Sequence, residues 1–233
     1  MTSFALRCVA VVVMLIDHIG YAFSDMLPFS LPFRMVGRIA FPIFCFLIAE
    51  GLYHTKNVKK YILRLGIFAV ISELPYDAFV HQNMNFMDMT RQNVYFTLLL
   101  GLLGILLFDV FIARDKPALS LIAIIAAAAG AWLIQSDYGP IGVFMIFVFY
   151  RFRGQPRPLA IFFSIGVLLF SFMNYTTSGL TWALVTLCQL AALPVALSYN
   201  GAPGPRSRTS QWAFYAFYPV HMVLLTVIHR IML

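Results

Sequence analysis

Arg7 and His18 stand eleven residues apart in one apolar stretch, ALRCVAVVVMLIDHIGYAF. If that stretch is helical, eleven residues close three turns to within about 20°, and the two side chains share a face about 16 Å apart along the axis. Histidine accepts a proton near neutral pH, which makes His18 a candidate general base. Further ionisable residues lie in apolar runs: Asp17 beside His18, Arg34 and Arg38, Glu50, Glu73 and Asp77 around Pro75, and His221 in FYPVH. A charge inside a bilayer is costly and by default marks function. Arg34 and Arg38 are four apart and share a helix face. Asp17 and His18 are adjacent and diverge by about 100°. Asp17 is therefore expected to pair with Arg34 or Arg38, while Asp77 or Glu73 orients the imidazole. Each charge also has a plainer reading. Asp17 with an arginine is equally an ion pair holding two helices together, Glu73 and Asp77 suit an interfacial position, and His221 can simply donate to a backbone carbonyl.

These residues need a membrane scaffold. Of 233 residues, 61% are hydrophobic and 11% charged, against about 25% charged in soluble domains. Too few polar groups exist to cover a soluble surface, so residues 1–233 are read as one all-α integral membrane domain. Nine apolar runs fall at about 4–23, 35–53, 59–79, 93–112, 118–135, 138–152, 158–173, 179–198 and 212–231. A crossing helix needs about 20 residues, with a lower limit near 17. The sixth and seventh runs fall short and are candidates for shallow or re-entrant segments. The first run imitates a signal peptide, but Asp17 and His18 occupy what would be its apolar region, so it is read as retained.

The net charge of +7 would suggest nucleic acid in a soluble protein. Here the basic residues sit in short loops, as membrane topology demands, and no nucleic-acid partner is expected. With the N-terminus cytoplasmic, twelve basic residues fall inside, among them Arg7, Lys56, Lys59, Lys60, Arg64, Arg206 and Arg208, and four outside, Arg34, Arg38, Arg91 and Arg230. His18, Arg34, Arg38, Glu73 and Asp77 then converge in the outer half of the membrane. The longest polar connection, 81–93, is also outside. Cys8, Cys45 and Cys188 lie in apolar runs without metal-ligand spacing; they are read as packing residues, and no metal is expected. No fixed-period repeat is found, which weighs against transporters built from two matching halves.

The strings MLIDHIGYAF, RMVGRIAFPIFCFLIAEGLYHTKNVKKYILRLGIFAVISELPYD, NVYFTLLLGLL, SDYGPIGV and FYPVH together resemble the TraX family, associated with N-terminal acetylation of F-type pilin. More distantly, the spacing of Arg7 and His18 is similar to the first-helix motif of acyltransferase family 3 and glucosaminide acetyltransferase enzymes. Their paired arginines are matched most nearly by Arg34 and Arg38, here in the second helix rather than the third. The resemblance implies a bacterial inner-membrane acetyltransferase with acetyl-CoA as donor and a pilin-like peptide amine as acceptor. For such a reaction, helix geometry and charge make His18, Asp17, Asp77, Glu73 and Arg38 the catalytic candidates, and Arg7, Arg34, Lys56, Lys59, Lys60 and Arg64 the donor-binding ones. Asn93, Asp137, Tyr138 and His221 are the substrate-binding candidates. Direct transfer and an acetyl-His18 route both stay open. The alternatives are an O-acetyltransferase for a sugar or lipid acceptor, a proton-coupled transporter, and a non-catalytic assembly protein.

Overall fold

A computed structural model describes residues 1–80, 90–205 and 207–232. They form a helical bundle, and six of its helices are long and apolar enough to cross a membrane. The protein is a multi-pass membrane protein. Each of the nine apolar runs coincides with helix, although the helices are not all continuous.

The first helix, α1 (Ser3–Ala22), is capped by Thr2, whose hydroxyl accepts from the Ala5 amide. Its other leading amides are met by a strap from the connection that precedes the last helix: Ser3 N donates to Ala202 O at 2.9 Å and Phe4 N to Pro203 O at 3.1 Å. Those N–H groups have no partner within the helix, so the strap both satisfies them and fixes the mouth in which Arg7 sits.

The second run is two helices, α2 (Ser30–Gly37) and α3 (Ala40–His54). Pro42 explains the joint, because it lacks the N–H that would bond the Arg38 carbonyl one turn back. The third run divides likewise at Ser72 into α4 (Val58–Ile71) and α5 (Glu73–Val80), with Pro75 unable to bond the Ile71 carbonyl. In α12 (Arg208–Met232) Pro219 lies inside the helix and frees the Tyr215 carbonyl, which instead accepts from the Tyr95 hydroxyl at 2.9 Å. Helix breaks are tolerated at membrane depth when a neighbour meets the freed backbone group in this way.

Between them run α6 (Val94–Ile112), α7 (Pro117–Leu133), α8 (Gly139–Arg151), α9 (Pro156–Ser178), α10 (Leu180–Leu187), a single 3-10 turn (Cys188–Ala191) and α11 (Ala192–Leu197). The seventh run is thus a full-length helix of 23 residues, not the short segment expected, whereas the sixth stays short at 13. The centre is α3, flanked by α1, α6, α8 and α11. By contrast α9 and α12 turn large side chains such as Ile165, Phe172, Leu224 and Ile231 outward, as helices facing lipid do.

Close approach of α1 and α2 rests on two glycines. A Cβ on Gly37 would overlap the Asp17 side chain, and one on Gly20 would stand 2.7 Å from the Phe33 Cβ. Small residues at such a crossing let two backbones meet. Gly37→Ala should force the helices apart, lowering stability by about 1–3 kcal/mol and loosening the ion pairs of Asp17. Thermal unfolding in detergent checks this; an unchanged midpoint would mean that the crossing yields without cost.

Candidate active site

Asp17, His18, Arg34 and Arg38 meet at one end of the bundle, around a cavity of about 180 Å³. The α1–α2 crossing presents the Asp17 carboxylate to both guanidinium groups: Arg34 Nη1 donates to Oδ2, and Arg38 Nη2 lies 3.3 Å from Oδ1. Arg34 also lies over the Tyr21 ring, 5.2 Å from its centroid. Asp137 and Tyr138, in the turn between α7 and α8, and Arg91 complete the polar wall. Burial raises the Asp137 carboxyl above its ordinary range, opposed by Arg91 and Arg38. Among the described residues three guanidinium groups thus face two carboxyls. Tyr138 takes a left-handed backbone, φ 62°, unusual for a residue with a side chain. It is held there by stacking on Phe41, with centroids 3.6 Å apart, and by the Arg38 guanidinium, 3.4 Å from its hydroxyl.

Among the described residues the His18 imidazole meets a second imidazole rather than a carboxylate. Its Nδ1 lies 2.5 Å from Nε2 of His221, the two rings nearly parallel at 7°. The other ring nitrogen of His221, Nδ1, lies 2.7 Å from the carbonyl of Phe217. This corrects the expected role of α5. Glu73 is instead engaged by Asn93, whose amide donates to Glu73 Oε2 and, at 2.7 Å, to the Ala69 carbonyl, while its oxygen caps α6 by accepting from Tyr95 N. Asn93 thus clasps α4, α5 and α6 together and lines neither cavity. Glu73 and Asp77 are buried but do not line the chamber. His221, expected at the substrate, sits behind His18.

A second cavity of about 560 Å³ opens at the opposite end, lined by Arg7, Lys56 and Arg64 with His54, Tyr61 and Tyr215. Lys59 and Lys60, grouped with them from sequence, stand exposed and off its wall. Glu50, near this end, is bound through both oxygens by Arg153, at 2.6 and 3.2 Å, which ties α3 to the turn after α8. The two cavities lie in line. On α3, Ala40, Phe41 and Phe44 line the smaller one, and Phe44, Leu47, Ile48 and Gly51 the larger. That is one helical stripe. On α6, Val94 borders the first and Tyr95 and Leu98 the second; on α1, His18 borders the first and Arg7 the second. Among the described residues Phe44 alone lines both, and it stands between them.

The family described as TraX protein matches residues 3–229. The chain belongs to the TraX family. A similar curated protein, the "Probable fimbrial assembly protein FimC, serogroup H1" of Dichelobacter nodosus, is 28% identical over 242 residues, covering 96% of this chain and 94% of that protein. No solved structure matches this TraX-family chain. Of the residues singled out in its sequence, Arg7, Lys56 and Arg64 gather at one mouth, and Asp17, His18, Arg34, Arg38, Asp137 and Tyr138 at the other. Tyr61, Tyr215 and Phe44 were missed. Aromatic residues in apolar helices carry no signal of their own, and only the cavities single them out.

Proposed function

We propose that the protein is an acetyltransferase that carries an acetyl group from acetyl-CoA, entering at the Arg7 mouth, to the N-terminal amine of a pilus-subunit peptide at the His18 chamber. The observation that carries this reading is a pair of cavities along one stripe of α3, one with a basic, aromatic mouth and the other with a histidine beside clustered guanidinium groups. The residues at the mouth fit the donor. Arg7, Lys56 and Arg64 would hold its phosphates, Tyr61 and Tyr215 offer faces to its purine, and the stripe from Gly51 to Ala40 leads toward His18. Acetyl-CoA, when bound, supplies an acyl carbonyl with a good leaving group. The positive-inside bias puts the Arg7 mouth in the cytoplasm, where the donor is made. It puts His18 toward the outer face of the bacterial inner membrane, where a translocated peptide presents its N-terminus. The acceptor class is suggested by the TraX resemblance and by the fimbrial-assembly name of the FimC relative.

The chemistry follows from the side chains. Nε2 of His18 takes a proton from the acceptor amine as the nitrogen bonds to the thioester carbonyl carbon. Arg34 and Arg38, whose side chains are largely buried, hold the negative charge that develops on the carbonyl oxygen, where such a contact counts for more than in water. His18 returns the proton to the sulfur as the carbon–sulfur bond breaks, leaving an amide and a free thiol. Asp17 does not touch the imidazole; it holds both arginines in place.

Oriented membranes supplied with labelled acetyl-CoA and a processed pilin test the reading, with the peptide N-terminus read by mass spectrometry. Label should appear when the donor is on the cytoplasmic side. Arg64→Gln, which removes a charge at the mouth, should raise KM for the donor about tenfold to a hundredfold and leave kcat within a few-fold. Wild-type membranes that place no acetyl on pilin overturn the reading. Donor reacting only from the outer side overturns the route.

A further inference from the structure

We infer that His221 is a positioning residue which locks His18 into the tautomer whose Nε2 is the free base. The inference rests on the acetyl-transfer reading for its kinetic arm alone. The Phe217 carbonyl has no proton to give, so Nδ1 of His221, 2.7 Å away, must carry one. A neutral imidazole holds a single N–H, and Nε2 of His221 is then a bare acceptor. The 2.5 Å contact between that nitrogen and Nδ1 of His18 needs one proton, and only His18 can provide it. Nε2 of His18 is left with its lone pair, the form a general base requires.

The packing holds this chain of bonds in register. His221 stacks on Phe217 one turn earlier in α12, with centroids 4.8 Å apart. His18 is bounded by Phe79 of α5 at 5.3 Å and Tyr218 of α12 at 6.3 Å. Aromatic rings thus flank both imidazoles beside the bond that joins them. The residue that performs the orienting task is thus a neutral imidazole backed by a carbonyl, where many histidine bases have a carboxylate. Asp17, the nearest carboxylate in sequence, is committed to Arg34 and Arg38. When His18 takes up a proton at Nε2, its Nδ1–H keeps the same bond to His221, so no ring has to move during transfer.

Two variants separate this role from simple filling of space. His221→Phe keeps a stacked ring and removes both nitrogens. His221→Gln keeps a donor for the Phe217 carbonyl and an acceptor for His18. Nitrogen-15 histidine spectra of the full chain in lipid, with the His18 signals assigned by their loss in His18→Ala, read the tautomer without turnover. The wild type and His221→Gln should show His18 protonated at Nδ1, and His221→Phe should show the Nε2–H form in substantial population. In the transfer assay His221→Phe should lose 10- to 100-fold in kcat with little change in either KM, and His221→Gln should recover at least a third of the wild-type kcat. A His18 tautomer that is the same in the wild type and His221→Phe overturns the inference, whether or not the protein acetylates pilin. So does a kcat that is equally low in His221→Phe and His221→Gln. Absence of transfer by the wild type, with the tautomer shift present, overturns the acetyl-transfer reading instead and leaves the positioning role standing.

Discussion

His18→Ala should lower the rate of acetyl transfer to pilin by about 10²–10⁴-fold, the range a positioned general base contributes. The substitution removes the bond to His221 of α12 but should leave the bundle assembled, because other contacts hold α1 in place. Those are the strap bonds at Ser3 and Phe4, the glycine crossing with α2 and the Asp17 ion pairs. Donor binding should also persist, since Arg7, Lys56 and Arg64 border a separate cavity beyond Phe44. Single-turnover transfer measured beside CoA binding therefore separates the outcomes. Lost transfer with retained binding is the expected result. Full transfer by the variant would move proton abstraction to another group and sink the assignment of His18 as base.

Asp17→Ala should be the most destabilising single substitution in the chamber, by about 3–5 kcal/mol, the usual cost of stripping one partner from a buried ion pair. It removes the carboxylate that both Arg34 and Arg38 use, and leaves two guanidinium groups facing each other in a space with little water. Asp17→Asn should cost less, because the amide oxygen still accepts a hydrogen bond. Pairing Asp17→Ala with Arg34→Met should recover part of the loss, since only Arg38 then lacks its counter-charge. Unfolding midpoints in detergent for the single and double variants measure this coupling. A double variant no more stable than Asp17→Ala would show that repulsion between the arginines is not the cause. Because the same pairing holds Arg34 and Arg38 toward the chamber, transfer should fall with stability, even though Asp17 abstracts no proton.

Much of this arrangement was legible in the sequence, and for one reason: distances along a helix are set by covalent geometry. The spacing of Arg7 and His18 places them on one face at opposite depths, and they border the two cavities at opposite ends of the bundle. The four-residue spacing of Arg34 and Arg38 put both on the face that meets Asp17. The nine apolar runs are helical because a chain in lipid must satisfy its own backbone, and the interruptions at Arg38 and Ser72 lie one turn before Pro42 and Pro75.

What a side chain touches across helices was not legible. His18 finds His221, 203 residues away, and not the carboxylates of α5. Glu73 is claimed by Asn93. Lys59 and Lys60 turn outward while Lys56 and Arg64 border the cavity, although all four sit in one short basic run. The tertiary structure decided these matters, because rotation and register between helices depend on close packing: Gly20 and Gly37 at the α1–α2 crossing, the strap at Thr2–Phe4, the clasp at Asn93. Each of these is a short-range contact between segments far apart in the chain. The charges named the chemistry in the sequence; the packing chose which of them face His18.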